Sequence, residues 1–238
     1  VMTVAADGTQ TLVDAERPIT FHHLMTHTSG LSYSFHTDSP VDKLYEEARV
    51  IDRTKTGAEN MGLLAELPLV HQPGKVWRYS VSTDVLGYLV ELIAGMPLEQ
   101  FLAERIFRPL NMVDTAFYVS EDKLERFAAL YVLNPAGQVV RYDVHDYSRP
   151  PAMPSGGGGL VSTAADYFQF MQLLLNRGEV SGKRLLGSRT VEYMASNHLP
   201  ETMLPYHLTQ AWPGLGFGLG FSVVMNPMET QVLETAGN

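Results

Sequence analysis

The sequence predicts an α+β protein, because helical patterns and short strand patterns occupy separate parts of the chain. In the clearest helical pattern, Val85, Leu86, Leu89, Val90 and Ile93 repeat at helical spacing until Gly95, and we expect this stripe to belong to the core. Two short strand patterns, residues 128–133 and 138–142, are joined by a turn of sequence NPAG. With 238 residues and 45% hydrophobic content, the chain has enough apolar material for a sizeable core.

Helix starts in the first half of the chain are marked by capping residues or by a proline at the first helical position. These markers are Thr20, Ser39 with Pro40, Thr56 with Glu59, and Pro97. The helix after Thr20 is predicted to run to about His27. The helix after Pro97 is predicted to face inwards with Leu98, Phe101, Leu102 and Ile106.

The second half of the chain continues the alternation of strands and helices. Residues 115–119 form a short strand pattern. Thr163 and Asp166 are predicted to form a capping box for a helix that ends at Gly178, and a further helix is predicted over residues 189–195. Residues 214–225 alternate glycine with apolar residues and predict one strand that feeds a central sheet.

Charge and composition exclude several classes of partner. The net charge of −9 argues against nucleic acid or an anionic membrane as the default partner. The absence of cysteine excludes a disulfide framework and a thiolate nucleophile, and leaves the cellular compartment open. No apolar run approaches the roughly 20 residues needed to span a bilayer, and no stretch resembles a signal peptide. No cofactor is expected.

Tyr79 is the first candidate for a functional side chain. It follows a Pro73-Gly74 turn and an extended stretch, and it lies just before the helix that contains Val85. A phenol on a short loop held by rigid elements is a plausible acid/base group. The alternative is that Tyr79 simply packs beside Trp77.

Other motifs indicate structure rather than a metal or phosphate site. His23 and His27 are four residues apart, as in a zinc pair, but Leu24 stands where the zincin motif needs glutamate, so both are interpreted as structural. The glycines of residues 156–159 are not followed by the lysine of a phosphate-binding loop. We interpret them as sites of close backbone approach where two lobes meet.

Four segments resemble, in the same order, motifs of the serine β-lactamase-related superfamily, which includes class C β-lactamases, DD-peptidases and family VIII carboxylesterases. They are ITFHHLMTHTSGL (residues 19–31), WRYSVSTDVLG (77–87), RPLNMVDTAF (108–117) and GGGGLVSTAAD (156–166). The resemblance extends over nearly the whole chain and is closest to the family VIII esterases.

This resemblance implies a β-lactamase/transpeptidase-like fold, of which the chain covers mainly the helical lobe and part of the α/β lobe. Residues 1–30 would enter from the α/β lobe, residues 31–155 would form a predominantly helical lobe with short strands, and residues 156–238 would return with helices and the first strand or strands of the α/β lobe. The family's N-terminal Ser-x-x-Lys helix and C-terminal strands are absent from the sequence. We therefore expect a middle portion of a longer enzyme.

Two short matches to family motifs are interpreted as coincidences. Lys55-Thr56-Gly57 spells the family's third motif, but it precedes Tyr79, and Thr56 fits a helix cap better. Ser120-Glu121-Asp122-Lys123 spells Ser-x-x-Lys, but its surroundings are polar, whereas the family's serine begins a buried helix. Neither match is expected to be catalytic.

The resemblance assigns the catalytic tyrosine of an acyl-serine mechanism to Tyr79. A lysine ammonium from the missing motif would favour the phenolate form of this side chain, which would then take the proton from the serine. Tyr33, Ser34 and Val81 are expected to line the substrate pocket. β-Lactamases of this architecture carry asparagine at the position of Val81, and valine cannot replace its hydrogen bond.

The sequence therefore predicts a serine hydrolase for a small-molecule ester or amide, most readily a carboxylesterase for short acyl or aryl esters. The alternatives are a β-lactamase or DD-peptidase, and a non-catalytic binding or sensor homologue that kept the fold and lost the chemistry. A Ser-x-x-Lys motif at the head of an apolar helix in the upstream gene sequence would distinguish the enzyme from the binding protein.

Overall fold

The computed structural model describes residues 1–142, 146–208 and 210–230. Within these residues the α-helices are α1 Phe21–Met25, α2 Pro40–Ala48, α3 Gly57–Ala65, α4 Ser82–Ala94, α5 Leu98–Leu102, α6 Ala164–Leu175, α7 Ser188–Met194 and α8 Pro227–Thr230. A π-helical turn, Ala103–Phe107, continues α5, and 3₁₀ turns cover Glu121–Arg126 and Glu201–Met203. In the described part of the chain, helices thus contain more residues than strands do.

The strands pair as four short antiparallel hairpins. They are β1 Met2–Val4 with β2 Gln10–Leu12, β3 Tyr131–Leu133 with β4 Val139–Arg141, β5 Glu179–Val180 with β6 Lys183–Arg184, and β7 Leu215–Phe217 with β8 Ser222–Val224. The hairpin predicted around the NPAG turn is confirmed, with Tyr131 opposite Arg141 and Leu133 opposite Val139.

Two strand predictions need correction. Residues 214–225 form the β7–β8 hairpin rather than one strand, since Gly218 and Gly220 lie in the turn that reverses the chain. Every sheet in the described residues has two strands, so β7 does not enter a central sheet there. Of residues 115–119, only Ala116 pairs, through an isolated bridge to Val161.

The predicted helix caps of α2 and α3 form as expected. The side chains of Ser39 and Asp42 make a reciprocal capping box at α2, with Pro40 in the first turn, and Thr56 with Glu59 does the same at α3. At α6 the predicted capping box forms only in half: Thr163 accepts a hydrogen bond from the Asp166 N–H, but the Asp166 carboxylate accepts from the Asp114 N–H and the Thr115 hydroxyl instead. Gly95 ends α4 with a φ of 65°, a left-handed conformation that glycine adopts without steric cost.

The main core forms where α1, α2, α3 and the loop after α1 pack against the start of α4. Leu24, Leu31, Val41, Tyr45, Leu64 and Val81 are its buried members. Val85, Leu86 and Leu89 of α4 pack against them, which confirms the first two turns of the predicted stripe. Ile93 is 73% exposed, so the prediction that it belongs to the core is wrong. The stripe continues past the point where α4 has core partners.

The glycine-rich segment approaches α4 closely. A Cβ added at Gly156 would lie 2.1 Å from the Thr83 carbonyl oxygen and 3.0 Å from the Gly87 Cα. The predicted role of the glycines in close backbone approach is therefore confirmed at this contact, where α4 is the neighbouring element. This contact fixes residues 155–159 beside the start of α4.

In the part of the chain that the structure describes, no single helix is long and apolar enough to cross a membrane. The pair formed by Ser82–Ala94 and Leu98–Phe107, bent by 82°, meets the length and composition test only when taken together.

Candidate active site

Tyr79 is held on a segment that runs beside the loop after α1. Backbone N–H groups of Gly74, Arg78 and Val81 donate to the carbonyls of Thr28, His27 and Ser32, at 2.7, 2.8 and 3.2 Å. Helix α4 begins three residues after Tyr79, as the sequence predicts. The two segments fix the backbone on both sides of the tyrosine.

Tyr79 lines an open cleft of about 830 Å³. We call it the Tyr79 cleft. Its other lining residues include Phe35, Trp77, Met203, Tyr206 and Leu208. The Tyr79 side chain is half-buried, and its hydroxyl has no hydrogen-bond partner among the described residues. A bound molecule can therefore reach the phenol without displacing a protein contact.

Arg78 locks the segment that carries Tyr79. Its guanidinium makes two hydrogen bonds of 2.9 Å to Asp38 and two of 2.8 and 2.9 Å to Asp42, and its Nε–H donates to Ser32. The hydrogen bonds from Arg78 lower the pKa of the Asp38 carboxyl to about 2. Bidentate pairs of this kind are geometrically specific. These contacts, which we call the Arg78 clamp, therefore tie the segment that carries Tyr79 to residues 32–42.

Two histidines contact Tyr79, one at its backbone carbonyl and one at its ring. The His36 Nε2–H donates to the Tyr79 carbonyl at 2.9 Å, which fixes the tautomer because a carbonyl only accepts. The His27 ring lies 4.8 Å from the Tyr79 ring, between centroids, and its Nδ1 accepts the Ser80 N–H at 3.2 Å. Burial lowers the pKa of His27 to about 4, so this ring is neutral at pH 7.

Three buried serines join His27 to the start of α4. The Ser80 hydroxyl lies 2.8 Å from that of Ser82, which lies 2.7 Å from that of Ser29. Ser80 also lies 3.3 Å from His27 Nδ1, a separation that resembles a nucleophile and its base. Because Ser80 is fully buried, a substrate cannot reach it. The network therefore acts as structural support.

The three predicted pocket residues occupy different places. The Tyr33 ring lies 5.3 Å from that of Tyr79, beside the cleft, and its hydroxyl donates to Asp84. Ser34 is exposed in a neighbouring surface groove that Lys43 also lines and that shares His36 with the Tyr79 cleft. The Val81 side chain is 1% exposed and packs in the core with Leu31, so it does not face the cleft as expected. Position 81 is apolar because it faces inwards.

The two motif matches set aside from the sequence have structural roles. Thr56 caps α3, which accounts for Lys55-Thr56-Gly57. Ser120 precedes a 3₁₀ turn, and the Lys123 ammonium forms an ion pair of 2.7 Å with Asp114 and donates to the Val113 carbonyl. Among the described residues, no group of three or more histidine, aspartate or glutamate side chains could hold a metal ion.

Sequence reasoning did not find the Arg78 clamp or the support from His36. The only local signal was the position of Arg78 between Trp77 and Tyr79, together with the carboxylates of Asp38 and Asp42 four residues apart. That spacing suggests one helix face, but Asp38 lies before α2 and Asp42 within it. The partnership depends on a contact between segments about 40 residues apart.

Comparisons with known proteins place this chain in a family. A family model described as Beta-lactamase matches residues 10–228. Protein Rv1367c of Mycobacterium tuberculosis is 39% identical over 223 residues, which cover 92% of this chain and 55% of that protein. Esterase EstB of Burkholderia gladioli is 35% identical over 188 residues, which cover 71% of this chain and 46% of that protein.

A solved structure described as EstCE1, a hydrolase with promiscuous acyltransferase activity, has a TM-score of 0.75 and 27% identity. It covers 98% of this chain, which in turn covers 62% of that one. The chain thus spans about half the length of the two relatives above.

The fold and the four motifs define a protein of the β-lactamase/transpeptidase-like class. The chain belongs to the Beta-lactamase family, in the serine β-lactamase-related superfamily. Its homologues include esterases and acyltransferases.

Proposed function

We propose that this chain is part of a serine carboxylesterase for short acyl or aryl esters, with Tyr79 as the acid/base. The observation that carries the proposal is the phenol itself: a half-buried Tyr79 on the wall of an open cleft, with a hydroxyl that has no partner among the described residues and a backbone held by Arg78 and His36. A tyrosine kept only for packing would not need this amount of support around an accessible hydroxyl.

In the proposed reaction a serine hydroxyl attacks the ester carbonyl and Tyr79 takes its proton. The tyrosine then gives that proton to the departing alcohol, which leaves an acyl-serine for water to hydrolyse. The serine and its lysine are expected outside residues 1–238, since neither motif match within them is suitable. General acid/base catalysis of this kind contributes roughly 10²–10⁴-fold.

Position 81 gives no support for a β-lactamase, because the Val81 side chain is buried in the core, away from the cleft, and has no amide for the acylamido group of a β-lactam. The similarity to Esterase EstB favours ester substrates. A β-lactamase or DD-peptidase remains the alternative reading of the same fold.

Acyl transfer to an alcohol is a second candidate. The walls of the Tyr79 cleft carry Phe35, Trp77, Met203 and Tyr206, and an apolar acceptor held against them would compete with water for the acyl-serine. The description of EstCE1 as a hydrolase with promiscuous acyltransferase activity supports the same idea. Adding a primary alcohol during turnover would yield the transferred ester if this candidate is correct.

The experiment replaces Tyr79 in the full-length gene product. We expect Tyr79→Phe to lower kcat for p-nitrophenyl butyrate by at least roughly 100-fold, since the proton acceptor is lost. Because the hydroxyl has no protein partner among the described residues, the melting temperature should not change. Tyr167→Phe, which removes an exposed phenol on α6, is the matched control and should keep full activity.

Full activity in a folded Tyr79→Phe variant would refute the assigned role. Absence of hydrolysis by the wild type, with intact folding, would instead favour the non-catalytic homologue. Rapid hydrolysis of nitrocefin, compared with p-nitrophenyl butyrate, would favour the β-lactamase alternative.

A further inference from the structure

A second, smaller recess lies beside the Tyr79 cleft. It has a volume of about 250 Å³, and we call it the Arg53 recess; its lining includes Tyr33, Arg53, Asp84, Tyr147 and Gly159. Tyr33 connects the two sites, because it lines the recess while its ring lies 5.3 Å from that of Tyr79. A ligand held beside Tyr79 needs to extend past only one aromatic ring to enter the recess.

Arg53 has no carboxylate partner among the described residues. Its guanidinium carbon lies 4.6 Å from the centre of the Tyr147 ring, and its Nη2 donates to the Phe117 carbonyl at 3.4 Å. These contacts orient the guanidinium at the recess wall and leave most of its five N–H donors available. An oriented and half-buried guanidinium is the group best suited to bind a carboxylate with two parallel hydrogen bonds.

The acidic side chain in the recess, Asp84, forms its hydrogen bonds with groups other than Arg53. The Asp84 carboxylate accepts hydrogen bonds from the Ser155 hydroxyl, the Gly157 N–H and the Tyr33 hydroxyl, the last two at 3.2 and 3.1 Å. These three donors satisfy Asp84 and hold the walls of the recess in place. Asp84 therefore serves the structure of the recess, and Arg53 is the group with free binding capacity.

We propose that the Arg53 recess binds a carboxylate on the acyl part of the substrate, so that the enzyme prefers monoesters of short dicarboxylic acids. This inference rests on the proposed esterase function, because it places the reacting ester group at Tyr79 and the free carboxylate beyond Tyr33. The recess has room for a short chain that ends in a carboxylate, and Arg53 supplies the charge that selects it.

The test compares charged and neutral esters. Mono-p-nitrophenyl esters of succinic, glutaric and adipic acid are assayed against p-nitrophenyl butyrate, pentanoate and hexanoate, with wild type, Arg53→Gln, Arg53→Lys and Arg49→Gln. We expect Arg53→Gln to reduce kcat/KM for the best charged ester by roughly 10- to 100-fold, mostly through KM, with the neutral esters unchanged. The kcat/KM of Arg53→Lys for the charged ester should lie between those of wild type and Arg53→Gln, because lysine keeps the positive charge but cannot donate two parallel hydrogen bonds.

Arg49→Gln removes an exposed arginine from the same segment and is the matched control. If Arg53→Gln lowers kcat/KM equally for charged and neutral esters, Arg53 has a structural role and the proposal is overturned. An unchanged kcat/KM for the charged esters would overturn it as well. Calorimetric binding of monomethyl glutarate tests the recess without turnover. Binding to wild type that is lost in Arg53→Gln supports the carboxylate site, even if the hydrolysis assay and the proposed function fail. If monomethyl glutarate does not bind to wild type, the proposed site is overturned.

Discussion

At the scale of single residues, His27 shows how burial changes the chemistry of a side chain. It packs against Trp77, Tyr79 and Phe217, and its Nδ1 accepts the Ser80 N–H. Its φ of 53° lies in the left-handed region, which asparagine tolerates better than most residues. His27→Asn therefore keeps both the backbone and an acceptor in nearly the same place, while removing the titrating group.

This histidine predicts a pH-dependent loss of stability. Burial lowers the pKa of His27 from 6.5 to about 4, so between these values the unfolded chain binds the proton more readily than the folded chain. The lowered pKa of His27 therefore contributes on the order of 3 kcal/mol to the free energy of unfolding. This contribution is fully present above pH 6.5 and is lost as the pH falls through 4. Urea unfolding at pH 7 and pH 4.5 measures it.

His27→Asn should show a smaller loss of stability over that range than the wild type. The difference between the two proteins, rather than either curve alone, isolates this group from the carboxylates that also titrate there. Parallel curves for wild type and His27→Asn would contradict the assignment of a neutral, buried imidazole.

Val81 marks the limit of an argument from one residue. In the sequence it stands where the family's β-lactamases carry asparagine, which suggested a pocket residue. In the fold its side chain lies in the core with Leu31, Val41 and Tyr45. Its apolar character is therefore required by packing, and the lack of a β-lactam contact is a consequence of that position.

At the scale of elements, the contact between α4 and the glycine-rich segment shapes the site. A methyl group at Gly156 would overlap the Thr83 carbonyl, with 2.1 Å between the atoms, and backbone atoms cannot move aside cheaply. We expect Gly156→Ala to lower the free energy of unfolding by roughly 1–3 kcal/mol or more. Thermal and urea denaturation at fixed pH measure the change.

Gly158→Ala provides the control two residues away. A Cβ at Gly158 meets nothing within 4 Å, and neither glycine has a positive φ, so the two variants differ only in the space available. Gly158→Ala should stay within about 0.5 kcal/mol of the wild type. Equal effects of the two substitutions would argue against the close approach.

At the scale of the whole molecule, the described residues contain the proposed base, Tyr79, and no serine suited to act as the nucleophile. Among the described residues, the lysine that follows Ser120 in its motif, Lys123, is ion-paired with Asp114. Ser80 is fully buried beside the neutral His27, so a substrate cannot reach it. The chain of residues 1–238 by itself is therefore expected to show no turnover of p-nitrophenyl butyrate. Esterase activity of this chain that a serine-directed phosphonate abolishes would contradict this expectation.

Much of the local structure could be predicted from the sequence. The Ser39 and Thr56 caps, the Gly95 stop and the hairpin around the NPAG turn all depend on residues within about four positions of each other. Burial was less predictable, because it depends on which neighbour covers a face. Ile93 fits the apolar stripe of α4 and is nevertheless exposed.

The sequence by itself determined the family, through four motifs in order, and the position of Tyr79 before α4. Only the tertiary structure decided what surrounds that tyrosine. The Arg78 clamp, the His36 bond and the Tyr33–Asp84 contact join residues about 40 to 50 positions apart. Such contacts arise from the packing of whole elements, which short-range spacing does not encode, and they assemble the cleft and the recess from groups that appear unrelated along the chain.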